Sequence, residues 1–428
     1  MTDSTAFVVI ACVAIVFQSL LLVFALFAPG LDYKIRTPLA APIESADFLR
    51  MIEALADARA HRGNRIEVLT NGEVYYEAEL TAIRAAERNV NLEAYIFQKG
   101  EVTRRFLDAL TERARAGVKV NLVLDAVGSF ASWDSYFKEL RAAGGRVAWY
   151  HPFRWYTLPR VNNRTHRELI TIDGCIGFVG GSGFADHWLV AKKNQPRWRD
   201  TMFRVEGEAV AGLQATFAEN WLEASGEILT GEDYFPVCQT RETGGGAAMI
   251  VNSSPSAGGS TRARMLYQTL LASARQCIYI TTPYFLPDKS ARAELVRAVE
   301  RGVDVQLVVP GDHIDHQLTR RSSRRLYGDL LKAGAKIYEY EAAMIHAKTM
   351  VIDDMWSVVG STNFDNRSFG LNDEVNLAAE DPALAARVTE DFVRDRDASK
   401  NVTYEEWRRR SIFERAYEQL GRILERQQ

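Results

Sequence analysis

The sequence predicts an α/β protein. Two tandem domains, each a mixed and largely parallel sheet flanked by helices, should pair as a pseudo-dimer behind an N-terminal transmembrane helix. Three observations carry that expectation. Strand-like and helix-like runs alternate twice over in the same order. One polar motif recurs, around His166 in the first half and His346 in the second. An apolar run opens the chain.

Residues 6–28 are apolar except for Gln18 and Ser19, long enough as a helix to cross a hydrocarbon core of ~30 Å. No Lys or Arg precedes this run, so the basic start of a secretory signal is missing, and Pro29 follows it directly. An uncleaved anchor is expected over residues 1–30; the competing reading is a signal peptide cleaved near Ala28. Lys34 and Arg36 come next, and the positive-inside rule then puts the body in the cytoplasm. Residues 31–60 read as a linker rich in Pro and Ala, then an amphipathic helix over 45–60.

The first domain is expected over 61–242. Strands at 65–70, 89–97, 118–126 and 146–150 alternate with helices at 75–88, 102–115 and 132–143, which implies crossover units. A loop over 152–165 leads to the first motif. The second domain, over 243–395, repeats the order. Its strands fall at 249–252, 277–284, 303–309 and 336–340, and its helices at 261–275, 291–301 and 320–333. Local wording recurs as well: Ala143-Gly144-Gly145-Arg146-Val147 matches Ala333-Gly334-Ala335-Lys336-Ile337. The tail over 396–428 has the pattern of an amphipathic helix, with Trp407, Ile412, Phe413, Ala416, Leu420 and Leu424 on one stripe. That stripe suits either the body or a membrane surface.

Composition narrows the function. With 47% hydrophobic and 25% charged residues the chain is globular rather than disordered. A net charge of −3 gives no basic field for nucleic acid. Cys12, Cys175, Cys238 and Cys277 are scattered, without a Cys-x-x-Cys pair. Neither a zinc site nor a disulfide framework is expected, and a reducing compartment fits.

The motifs carry the chemistry. His346 and Lys348 stand two apart, so on a strand both side chains point to one face. The run 349–352 is mostly apolar and β-branched, as a buried strand requires, and Asp353 ends it. An imidazole beside an ammonium suits a phosphate: one attacks or moves a proton, the other neutralises oxygens. The first half carries His166 and Asp173 in the same frame.

These motifs resemble the phospholipase D superfamily, and within it the bacterial cardiolipin synthases. The resemblance covers about residues 65–377. Its specific items are His346 to Asp353, Gly360-Ser361-Thr362-Asn363 and Asn372-Asp373-Glu374-Val375-Asn376, with His166 to Asp173, Gly180-Gly181-Ser182 and Trp198-Arg199-Asp200 in the first half. Thr282 to Asp288 and Asp315-His316 are similar to the lipid-synthase branch. Two positions depart from the pattern: Glu168 stands where the family has Lys, and Gly183 where Asn363 has its counterpart. Glu168 either pairs with Arg164 or Arg167, or turns away. The site is then asymmetric but working, or half of it is dead.

The resemblance implies two phospholipase D-like domains with His166 and His346 facing one phosphate. His166 would form a phosphatidyl-histidine and His346 would serve as acid and base, an order the residues alone leave open. Lys348 and Asn363 would hold non-bridging oxygens. Glu374 and Asp200 would orient the imidazoles. Asp173 and Asp353 belong to the motif but sit near strand ends, which favours a structural part. Ser361, Ser182, Tyr284, Phe285, His316 and Arg164 are the candidates for substrate contact, with Trp188 beside them. No metal or other cofactor is implied. The expected substrate is a phospholipid, phosphatidylglycerol first, at the bacterial inner membrane; a second phosphatidylglycerol as acceptor gives cardiolipin and glycerol, and water gives a lipase. The rival readings are a phosphodiesterase or nuclease of the superfamily and an inactive lipid-binding homologue. The oligomeric state is left open.

Overall fold

The structure, a computed structural model of the 428-residue chain, describes residues 3–27, 33–36, 41–155, 160, 162–191, 195–238, 246–256, 260–411 and 414. The chain divides into two units, Met1–Lys34 and Ile35–Gln428.

The first unit is the helix Asp3–Phe27. Its Phe7, Ile10, Val13, Ile15 and Phe17 side chains are exposed. Among the described residues no helix is long and apolar enough to cross a membrane; the described side chains of this one run only from 5 to 20.

The second unit holds two sheets. The first contains β1 (Arg65–Thr70), β2 (Asn89–Ala94), β3 (Lys119–Asp125), β4 (Arg146–Tyr150), β5 (Leu169–Ile172), β6 (Ile176–Gly180) and β7 (Thr201–Glu206), in the order β1-β7-β6-β5-β2-β3-β4. The chain continues through β8 (Ala247–Ser253), β9 (Cys277–Thr281), β10 (Phe285–Leu286), β11 (Asp304–Pro310), β12 (Lys336–Tyr340), β13 (Thr349–Ile352), β14 (Trp356–Gly360), β15 (Phe364–Asp365), β16 (Glu374–Glu380) and β17 (Ser399–Val402). The second sheet runs β8-β16-β14-β13-β9-β11-β12-β17, while β10 and β15 pair with each other. Strand for strand, the second sheet repeats the first and adds β17 at the edge.

Only β2–β3 and β3–β4 are parallel in the first sheet, and β9–β11 and β11–β12 in the second. The expectation of largely parallel sheets is corrected: both are mixed, with more antiparallel pairs. The reason is local. After each motif the chain reverses through a three-residue loop, at Asp173 and Gly174 in one half and Asp353 and Asp354 in the other. All four residues have positive φ, the backbone that a hairpin twisting with its strands needs. An Asp-Gly pair between apolar runs is the hairpin signal, and it stands in the sequence at 173–174.

Two helices that the alternation did not single out fill the space between the sheets. Val210–Ser225 contributes Leu213, Phe217 and Trp221 to one core, and Pro382–Asp397 contributes Leu384, Ala385 and Val388. Val179 and Phe203 of the first sheet and Val359 and Leu377 of the second join the same core. The halves therefore share apolar interior, which fixes their mutual position. The helix Ala46–Ala56, capped by Ser45, buries Phe48 and Ile52 in the core of the second half. At the other end Trp407 of the short helix Tyr404–Arg408 donates to the Arg324 carbonyl at 2.6 Å. That much of the tail docks on the body; most of the stripe beyond it lies outside the described residues.

Cys175 and Cys238 form a disulfide, contrary to expectation, while Cys12 and Cys277 are free. The pair is 63 residues apart in sequence, a spacing with no local signature. It closes because the hairpin turn at Gly174 lies under Pro236.

Candidate active site

Each histidine is held by the opposite half. The segment before His166 pairs with the segment before β16: His166 N–H donates to the Asp373 carbonyl at 2.9 Å, and Asp373 N–H donates to the Arg164 carbonyl at 2.9 Å. The segment before β13 pairs likewise with residue 199: His346 N–H donates to the Arg199 carbonyl at 2.7 Å, and Arg199 N–H to the Met344 carbonyl at 2.8 Å. These bridges bring up two carboxylates. Glu374 lies 3.1 Å from His166 Nδ1, through both oxygens, and Asp200 Oδ2 lies 2.8 Å from His346 Nδ1. A carboxylate on Nδ1 selects the tautomer that leaves Nε2 with its lone pair.

Buried groups hold the carboxylates in turn. Ser361 Oγ donates to Glu374. Trp188 Nε1 donates to Asp200 at 3.0 Å, and Thr201 N–H donates to it at 2.8 Å. Burial alone would raise the Asp200 carboxyl; the His346 hydrogen bond and the Lys348 charge outweigh it and keep the group below its ordinary value. Burial, with Lys348 adding to it, lowers His346 despite Asp200. His346 is thus a stronger acid than an ordinary imidazolium, beside an ionised Asp200.

Lys348 Nζ lies 2.9 and 3.1 Å from the two ring nitrogens of His346 and donates to its carbonyl at 2.7 Å. Burial brings this lysine down to about 8, against the pull of Asp200, Glu374 and Glu168. A lysine tuned to that range is a cation whose charge is poorly compensated, ready for an anion.

One cleft of ≈ 610 Å³ is lined by both histidines. Tyr95, Ile96, Arg164, Glu168, Trp198, Tyr284, Asp315, His316, Asn363, Asp365, Arg367 and Asn372 also face it. Trp198 packs 5.4 Å from the His346 ring and Tyr95 5.4 Å from the His166 ring, centroid to centroid. Three buried polar atoms on this wall have no hydrogen-bond partner: Glu168 Oε2, Asn363 Oδ1 and Asn372 Oδ1. Such atoms are costly unless a ligand meets them.

The structure thus brings together His166, His346, Lys348, Glu374, Asp200, Asn363, Tyr284, His316 and Arg164. Six other sequence candidates do not line the cleft. Asp173 accepts from the backbone N–H groups of Glu87, Arg88 and Asn89, and Asp353 from those of Arg275, Gln276 and Cys277. Both cap the far ends of their strands, and neither lines the cleft. Ser182 bonds the Tyr75 hydroxyl at 2.8 Å beneath the site. Phe285 is buried and stacks on Phe364. Ser361 acts through Glu374, and Trp188 forms the back wall of His346 rather than the cleft face. His151, 8% exposed, is satisfied by the Asn163 carbonyl and Glu223.

Glu168 does neither of the two things expected of it. Arg164 bonds Asp125 and the His151 carbonyl, and Arg167 is absorbed by Glu219, Asp373 and the Thr216 carbonyl. Glu168 instead accepts the Tyr95 and Ile96 N–H groups on Oε1, at 3.1 and 3.3 Å. Tyr95 reaches the cleft from a strand end remote in sequence from both motifs and carries no local signal, whereas Asp365, two residues after Asn363, could have been found from its place beside the motif.

The family profile described as "Cardiolipin synthase, PLD-like domain" matches residues 79–221 and 267–396. The chain belongs to the cardiolipin synthase, phospholipase D-like family. Cardiolipin synthase of Geobacillus kaustophilus (strain HTA426) is 34% identical over 378 residues, 88% of this chain and 75% of that protein. The major cardiolipin synthase ClsA of Bacillus subtilis (strain 168) is 34% identical over 387 residues, 90% of this chain and 80% of that one. Among solved structures, phosphatidylserine synthase of Haemophilus influenzae Rd KW20 superposes with a TM-score of 0.67 at 14% identity, over 89% of this chain and 99% of that chain. That likeness establishes the fold alone. Membership of the cardiolipin synthase family makes the chain a phospholipase D-type phosphatidyltransferase.

Proposed function

We propose that the chain moves a phosphatidyl group from one phosphatidylglycerol to a hydroxyl of a second, giving cardiolipin and glycerol. The observation that carries this reading is the pair of cleft-facing histidines, each oriented through Nδ1 by a carboxylate from the other half. His166 Nε2 attacks phosphorus; a P–N bond forms and the P–O bond to glycerol breaks. His346 enters the cycle as the imidazolium and delivers its Nε2 proton to the leaving oxygen; it then takes a proton from the incoming hydroxyl as the P–N bond breaks, which restores the imidazolium for the next turnover. Its buried position beside Lys348 makes the imidazolium a strong acid, and Asp200 steadies that charge. Lys348 and Asn363 meet the non-bridging oxygens.

The lipid surface is the second part of the reading. The helix Asp3–Phe27 exposes apolar side chains and serves as the anchor in a bacterial membrane. Phe130 and Trp133 on the loop after β3, and Phe153 and Trp155 on the loop after β4, are 66–84% exposed. Both loops bond to cleft residues: Ser129 Oγ donates to the Tyr95 carbonyl and Arg164 donates to the His151 carbonyl. Aromatic rings at the rim of a lipid site suit a membrane interface.

Purified protein with phosphatidylglycerol vesicles tests both. Cardiolipin with equimolar glycerol is expected, and removal of residues 1–30 should lower the rate on vesicles more than on micelles. Phosphatidic acid as the main product would mean water is the acceptor. No turnover at all would overturn the reading.

A further inference from the structure

Glu168 is the pseudo-symmetric mate of Lys348: each stands two residues after its histidine, Glu168 on the cleft wall and Lys348 against His346, which lines the same cleft. Its neighbour in pattern is also changed. A Cβ at Gly183 would lie 3.0 Å from Glu168 Oε1 and 2.8 Å from both the Cβ and the carbonyl of Ile96. Ile96 presses hardest on position 183 and the Glu168 carboxyl next, so the two departures of the first half stand side by side.

What remains is a built donor position. Glu168 is 3% exposed. Two backbone N–H groups fix Oε1 as the acceptor end. Oε2 is without a partner on the cleft wall. A carboxylate there would repel a phosphodiester; a carboxylic acid would bond to it, because a protonated carboxyl carries one O–H donor.

Resting on the phosphatidyltransferase reading, we propose that Glu168 works as a neutral acid whose Oε2–H donates to the non-bridging phosphate oxygen on the first-half side, opposite Lys348 and Asn363. The first half thereby lends the phosphate a neutral donor where the second half lends the Lys348 cation. Burial favours this state, since it raises the carboxyl well above its ordinary range, against the Ile96 and Tyr95 N–H groups and the Lys348 charge. Lys348 and Asp200 act on the carboxyl by charge, Lys348 favouring its ionisation and Asp200 opposing it, while Tyr95, His166, Arg164 and Arg367 share the cleft wall with it.

Phosphatidylglycerol with a phosphorothioate of defined configuration at phosphorus tests the contact, because sulfur accepts hydrogen bonds poorly. Wild type should discriminate against the diastereomer that puts sulfur toward Glu168. Glu168→Ala should lose about 10²–10³-fold in rate on the oxygen substrate and lose that discrimination, while keeping the opposite one. Glu168→Gln, with an amide N–H₂ to donate and an oxygen for the backbone, should stay within about tenfold of wild type. The wild-type minus Glu168→Gln infrared difference at neutral pH should show the carbonyl band of a protonated carboxylic acid. The proposal is overturned by a carboxylate band, by unchanged discrimination in Glu168→Ala, or by Glu168→Gln as slow as Glu168→Ala with Glu168→Asp active. Wild-type protein that turns over neither substrate would instead overturn the transferase reading.

Discussion

At the scale of single residues, side chains share space and charge, so substitutions should couple. Gly183→Asn drives a side chain into Glu168 and Ile96, and should lower both activity and melting temperature. Glu168→Lys alone places a second ammonium where Tyr95 and Ile96 offer only N–H groups. The double variant restores the family pattern, and a double-mutant cycle should show it better than the sum of the singles by about 1–3 kcal/mol. Additive losses would mean the two positions are independent. Lys348 sets the pH response. Its folded value, about 8, lies below the ordinary lysine value. Below pH 8 it is a cation in the free enzyme; above pH 8 the charge is lost, so kcat/KM should fall on the alkaline side. For stability the sign is opposite: between pH 8 and the unfolded lysine value the unfolded chain binds more protons, so this group's contribution rises with pH. Lys348→Arg should remove the alkaline fall in kcat/KM. The histidines and their two carboxylates were legible in the sequence because the motif repeats. The posture of Glu168 was not, since it depends on N–H groups at Tyr95 and Ile96, about 70 residues earlier in the chain.

Secondary-structure elements explain what the motif aspartates do. Asp173 and Asp353 stand in matching turns with positive φ, and each gathers three backbone N–H groups from the start of a neighbouring strand. They tie the catalytic strand β5 to β2, and β13 to β9, at the end away from the chemistry. Asp353→Ala should cost about 2 kcal/mol in stability while leaving KM within error and kcat only slightly lower at a temperature where the protein stays folded. A kcat loss as large as that of His346→Ala would place Asp353 in the chemistry after all. Alternation alone located the parallel strands β2–β4 and β9, β11 and β12. It did not reveal the hairpins β5–β7 and β13, β14 and β16, because their strands are buried on both faces and read as one apolar run broken by short turns. The helices Val210–Ser225 and Pro382–Asp397 were legible in principle: Val210, Leu213, Phe217 and Trp221 in one, and Leu384, Ala385 and Val388 in the other, fall at helical spacing, outside the strand–helix alternation that located the parallel strands.

For the whole molecule, two features bear on the compartment of the body under the anchor reading proposed above. Lys34 and Arg36 after the apolar run favour the cytoplasm. The Cys175–Cys238 disulfide favours an oxidising compartment. Membranes prepared with a thiol-blocking reagent decide between them. If the body lies on the oxidising side, these two cysteines resist maleimide until the sample is reduced. Immediate labelling at both would put the body in the cytoplasm.

The crossed carboxylates have a consequence for how activity could be divided. His166 depends on Glu374 and His346 on Asp200, so neither half owns a complete histidine. The reaction is a logical conjunction: it reports that both halves are present and docked. If the coding sequence were cut within residues 239–245, each fragment made alone should be silent, and co-expressed fragments should recover synthesis. A fragment carrying His166→Ala and a fragment carrying His346→Ala should never complement, because both changes fall in the same composite site. An ancestral single-length chain with this geometry could have worked only as a pair, each copy lending its carboxylate to the other's imidazole. Fusion of the copies would then have freed the two halves to diverge, and the exchange of a lysine for Glu168 on one side only is what such freedom permits.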